Sequence, residues 1–112
     1  TGIVCEVISS QDIELSTSVS YEIFRVLQEF TSNLIKHGCA SHCSVTFEIE
    51  NDKIHITMKD NSVPFNFAEH SKTSNGLGLG NINSRLRFIG ATLSQSVTTE
   101  GNIFHIYLKQ LK

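Results

Sequence analysis

Val45-Thr46-Phe47-Glu48-Ile49-Glu50-Asn51-Asp52-Lys53-Ile54-His55-Ile56-Thr57-Met58-Lys59-Asp60 carries the reading that decides the fold. Val45, Phe47 and Ile49 alternate with Thr46, Glu48 and Glu50; beyond Asn51-Asp52, Ile54, Ile56 and Met58 alternate with His55, Thr57 and Lys59. Successive side chains on a strand point to opposite faces, so each run has one apolar and one polar side, and the Asn-Asp pair between them predicts a hairpin. The hairpin ends on an acidic residue, Asp60. The polar stretch that follows, 61–75, contains the single proline, Pro64. A loop of that length is more often functional than idle.

Upstream the period is helical. Val19, Ile23, Val26, Leu27, Phe30 and Leu34 recur at spacings of three and four, which predicts a helix over 19–37. Ser16, Thr17 and Ser18 offer N-caps and Gly38 a stop. Downstream, Leu79, Ile82, Leu86 and Ile89 mark the buried stripe of a second helix that Gly90 ends. Residues 3–8 read as a further strand, and 92–97 with 103–109 as a closing hairpin that turns through Glu100-Gly101-Asn102. Two helices and about five strands in mixed order predict an α/β (α+β) two-layer sandwich, a mixed and mainly antiparallel sheet with its helices on one face.

At 112 residues there is room for one domain. A hydrophobic share of 39% is enough for a core, so no staple is required. Three cysteines, an odd count, argue against a secreted disulfide framework and suit reduced thiols in a cytoplasmic setting. Nine basic against eleven acidic residues give a net charge of −2, with no basic field for nucleic acid. No apolar run approaches the roughly 20 residues that span a bilayer. The domain is therefore expected to touch neither nucleic acid nor membrane.

Three groups of residues could carry chemistry. On the first helix Glu29, Asn33 and Lys36 (i, i+4, i+7) fall on one stripe at the border of the apolar face. Taken alone, that spacing is an ordinary helix-stabilising arrangement. Gly76, Gly78 and Gly80 lead directly into the second helix, where glycine backbone and a helix N-terminus could cradle phosphate. The run is neither a P-loop nor the dinucleotide fingerprint, since no Gly-Lys-Ser/Thr follows and Asn81 replaces the third glycine. Asp60 either caps its loop or faces a pocket. A rival set, His37, Cys39, His42 and Cys43, offers metal-ligand types, but so crowded a run does not easily close a tetrahedron, and small thiols at a helix-to-strand corner are the simpler reading. His55, His70 and His105 have no partner visible in the sequence and read as surface or sheet residues.

In order, these pieces resemble the ATP-binding catalytic domain of two-component sensor histidine kinases, within the gyrase, Hsp90, histidine kinase and MutL ATPase superfamily. The N-box pattern appears as Gln28-Glu29-Phe30-Thr31-Ser32-Asn33-Leu34-Ile35-Lys36-His37, the next motif as Asp60-Asn61-Ser62-Val63-Pro64-Phe65, and the glycine box as Asn75-Gly76-Leu77-Gly78-Leu79-Gly80-Asn81-Ile82. Ser84-Arg85-Leu86 and Ile89-Gly90 follow, in a run nearest to the nitrate-sensor type. Ser62 and Pro64 stand where the family usually has glycines, and Asn102 where a threonine usually follows the last hairpin's glycine.

The resemblance implies two cofactors, ATP and Mg²⁺. Asn33 would hold the Mg²⁺ and Lys36 the phosphates. Asp60 would accept a hydrogen bond from the adenine amino group, with Ser62 and Pro64 beside that pocket. Gly76, Gly78, Leu79 and Gly80 would form the phosphate-facing end of a short ATP lid. Glu29 would be the catalytic residue that polarises the attacking nucleophile. The family's phosphoaccepting histidine is usually followed by an acidic residue. The five histidines here are followed by Gly38, Cys43, Ile56, Ser71 and Ile106, so the acceptor is expected outside this chain.

The implied partners are the phosphoacceptor and dimerisation helices of a parent sensor kinase and a response regulator. The isolated domain is expected to be monomeric, residues 1–112 being one fragment of a longer, cytoplasmic or inner-membrane-anchored protein. Two alternatives stay open at this stage: an anti-sigma-type serine kinase, which shares the Asp-x-x-x-Pro-Phe pattern, and a degenerate, non-catalytic nucleotide-binding or interaction module.

Overall fold

A computed structural model describes residues 4–9, 13, 15–37, 41–61, 79–99 and 101–109. In chain order the elements are β1 (Val4–Ser9), α1 (Thr17–His37), β2 (His42–Glu50), β3 (Lys53–Asp60), α2 (Leu79–Phe88), β4 (Thr92–Thr98) and β5 (Gly101–Lys109). The five strands form one sheet in the order β1-β2-β3-β5-β4. Only β1 and β2 run parallel; the other neighbours are antiparallel.

Local chemistry explains the boundaries. Asn51 and Asp52 have φ of 50° and 65°, the left-handed pair that a two-residue hairpin of primed type requires. Helix α1 begins two residues before the apolar period does. The Ser16 hydroxyl accepts from the Val19 amide at 3.2 Å, and the Ser16 carbonyl accepts the first helical bond, from Ser20, at 2.9 Å. Helix α2 ends in a Schellman turn: the Ala91 amide donates to the Leu86 carbonyl at 2.9 Å and the Gly90 amide to Arg87 at 3.1 Å. Gly90, at φ 72°, supplies the left-handed residue this needs.

The core lies between the helices and one face of the sheet. Ile23, Val26 and Phe30 of α1 and Ile82 and Leu86 of α2 meet Val45, Ile54, Ile56, Met58, Phe104, Ile106 and Leu108. Phe30 and Phe104 lie 4.6 Å apart, ring to ring, and tie α1 to β5. The alternation in 45–60 thus gives the inward face, and the α/β sandwich holds. An ion pair joins the helices: Arg85 Nη1 donates to Glu22 Oε1 at 2.7 Å. Among the described residues no helix is long and apolar enough to cross a membrane.

Three expectations change. Cys43 is disulfide-bonded rather than a reduced thiol. An odd count speaks against a framework but not against one pair. Asn102 lies within β5 instead of in the turn. His55 and His105, as sheet residues, have partners, because β3 and β5 pair and bring the two rings 3.0 Å apart, nitrogen to nitrogen. Burial foremost, then the neighbouring His55 and Lys59, holds the His105 imidazole below its ordinary pKa. The calls on Gly38, Cys39 and His70, and the side chain of His37, lie outside the described residues.

Candidate functional site

Asp60 ends the central strand of the sheet, with Cys43 of β2 and Asn102 of β5 as its Cα partners. By alternation it shares the face of Ile54, Ile56 and Met58, the side on which the helices lie. Its carboxylate is steered. Asn102, with 0% exposure, donates from Nδ2 to Asp60 Oδ1 at 3.2 Å, and its side-chain Oδ1 accepts from Gln95 Nε2 of β4 at 3.2 Å. The Gln95 donation fixes which end of the Asn102 amide faces the carboxylate. Gly101 allows the approach, for a Cβ there would stand 1.9 Å from the Asp60 carbonyl oxygen.

Asn61 fastens the same end of the sheet from the other side. Its Oδ1 accepts from the amides of Ser41 and His42 at 2.9 and 3.1 Å, and its Nδ2 donates to the Ser41 hydroxyl at 2.9 Å. Two hollows flank this strand end. One, of about 440 Å³, runs past Asp60, Thr98, Gly101 and Asn102; the other, of about 250 Å³, runs past Glu6, Cys43 and Asp60.

Glu29 is half-buried on α1, three residues after the buried Val26 and four before Asn33. The helix is continuous through His37, so Glu29, Asn33 and Lys36 share a stripe along the edge of the core face. For Asn33 and Lys36 it is the backbone that is described, and likewise for Leu79 and Gly80 in the first turn of α2. Ser62, Pro64, Gly76 and Gly78 lie outside the described residues.

A carboxylate accepts and never donates, so the Asp60 site suits a ligand that presents an amino group. Sequence reasoning missed Asn102 as the partner of Asp60. The signal was there: residues 102, 104, 106 and 108 continue one inward alternation, so the strand could have been extended backwards by one period. The Arg85–Glu22 pair joins residues far apart in sequence and left no such signal.

The profile of the histidine kinase-, DNA gyrase B-, and HSP90-like ATPase family matches residues 18–112. The sensor histidine kinase LiaS of Bacillus subtilis is 29% identical over 99 residues, covering 88% of this chain and 27% of that protein. The sensor protein VraS of Staphylococcus epidermidis is 32% identical over 82 residues, 73% of this chain and 23% of that protein. The chain thus spans about a quarter of the length of these curated relatives. Among solved structures, the histidine kinase domain of the blue-light activated kinase of Erythrobacter litoralis EL346 superposes with a TM-score of 0.79 at 14% identity, over 96% of this chain and 52% of that one. The Acinetobacter baumannii histidine kinase AdeS superposes equally well, at 0.79 and 18% identity, over 98% of this chain and 55% of that one.

Proposed function

The chain belongs to the histidine kinase-, DNA gyrase B-, and HSP90-like ATPase family, and on that footing we propose that it binds Mg-ATP and is the catalytic part of a longer sensor histidine kinase. The observation that carries the reading is the Asp60 carboxylate, held by a wholly buried amide at the end of the central strand. There it accepts a hydrogen bond from the exocyclic amino group of adenine. Guanine presents a carbonyl at that position and is refused, since two acceptors cannot pair. Ser62 and Pro64 border the base, and Lys36 neutralises phosphate charge. Gly76, Gly78, Leu79 and Gly80 close the backbone over the phosphates. Asn33 would hold Mg²⁺ through its amide oxygen, and the ion would offset charge on the phosphates.

The acceptor is a histidine on the parent protein's dimerisation helices. Its imidazole nitrogen attacks the γ-phosphorus, the bond from that phosphorus to the bridging oxygen breaks, and ADP departs with the electron pair. Glu29 accepts a hydrogen bond from the N–H on the ring's other nitrogen and takes up that proton's charge as the unprotonated nitrogen bonds to phosphorus. Such transfer asks mainly for positioning and charge stabilisation, which these groups supply. The phosphoryl group then passes to an aspartate of a response regulator. Calorimetric titration tests the binding step. Mg-ATP saturates the chain and GTP does not, and Asp60→Asn weakens ATP at least about tenfold, the scale of a lost hydrogen bond to a charged group. Absence of heat at millimolar Mg-ATP overturns the proposal.

A further inference from the structure

The face of the sheet turned away from the helices carries a second cluster of chemically capable side chains, remote from Asp60 along β3. His55 stands opposite Glu48 on β2 and opposite Tyr107 on β5. Its Nδ1 and Glu50 Oε1 are 2.7 Å apart. Its Nε2 lies 3.0 Å from His105 Nδ1 and 3.2 Å from the Thr57 hydroxyl. Tyr107 stacks on the His55 ring at 4.4 Å and 11°, and His105 at 5.2 Å and 26°. The ring is therefore held from the sides and behind, with side-chain exposure of only 12%. Glu48 and Glu50 are exposed in front of it, and one ligand atom from each of Glu48, Glu50 and His55 lies within 4.8 Å of the other two.

We propose that Glu48, Glu50 and His55 form a site for a divalent transition-metal ion of the zinc class. An exposed pair of carboxylates alone would select nothing. The imidazole makes the difference, because Mg²⁺ and Ca²⁺ take oxygen ligands whereas a set of one nitrogen and two carboxylate oxygens suits zinc and its neighbours. Three protein ligands leave the fourth tetrahedral position to water. Orientation is provided by the residues behind: a ligating histidine usually gives its other N–H to a fixed acceptor, and His105 Nδ1 stands where that acceptor belongs. On binding, the ion takes the His55 Nδ1 lone pair, and the ring's single hydrogen sits on Nε2 towards His105.

The test is titration of the full chain with ZnCl₂ in the presence of excess Mg²⁺, with free thiols alkylated so that cysteine cannot serve as ligand. The expected result is one saturable ion per chain, with His55 Nδ1 named as ligand by its nitrogen chemical shift. The paired change Glu48→Gln with Glu50→Gln, at two exposed positions that leave the core untouched, should weaken zinc at least about tenfold. His105→Gln should weaken it by roughly 10–100-fold while leaving the ligands in place. Binding that survives both the double glutamine change and His55→Gln overturns the site, as does failure to saturate at one ion per chain.

Discussion

Asp60 and His55 sit on the same strand, five residues apart, and face opposite ways. Asp60 is on the helix side, where one buried amide, itself held by Gln95, steers it. His55 is on the open side, where two stacked rings and hydrogen bonds on both of its nitrogens fix it. The inward side reaches rigidity by exclusion of water: Ile54 and Ile56 are at 0% exposure and Met58 at 4%. The outward side reaches it by mutual contact among polar groups, with Thr57 at 8% though neither described helix packs on that face. A β-strand can therefore position two polar residues by two unrelated means.

The contrast can be broken most severely from the inside. Ile56→Ala leaves a cavity beneath the sheet and should cost about 2–5 kcal/mol in urea unfolding, without touching either polar residue. Next comes Asn102→Ala, which removes the amide that links Gln95 to the Asp60 carboxylate. A stability loss of about 1–3 kcal/mol should accompany a rise of roughly tenfold in the Mg-ATP dissociation constant. If the affinity holds while stability falls, Asn102 serves the fold alone. The smallest effect is expected outside. Thr57→Val keeps the shape and removes one hydroxyl from a ring that retains His105, so the loss should stay below about 1 kcal/mol. A larger value would mean that the open face is built as tightly as the covered one.

The same contrast explains what could be read without coordinates. Periodicity reveals burial against a layer, so Ile54, Ile56 and Met58 were legible, as was the helix stripe of Ile23, Val26 and Phe30. The Asn51-Asp52 turn was legible because turn chemistry is local. Asp60 stood out as an acidic end to an apolar run. Asn102 did not, since a buried asparagine next to a glycine looks like a turn until the β3–β5 register is known. The His55 cluster was hidden for the same reason: Glu48, His55 and Tyr107 are brought side by side by pairing between strands, and His105 by a diagonal.

The attachment of β1 has a mechanical consequence. Among the described strands this one pairs only with β2, and runs parallel to it. Its first described residue, Val4, donates to the Ser41 carbonyl at 2.9 Å, and the Ser41 amide in turn donates to Asn61, the neighbour of Asp60. Tension applied to the main chain at Val4 loads this short linkage first, in shear along the strand. A tug or twist entering there is delivered within two hydrogen bonds to the residue beside Asp60, while the hairpin turn at Asn51-Asp52, at the far end of the lever, feels it last.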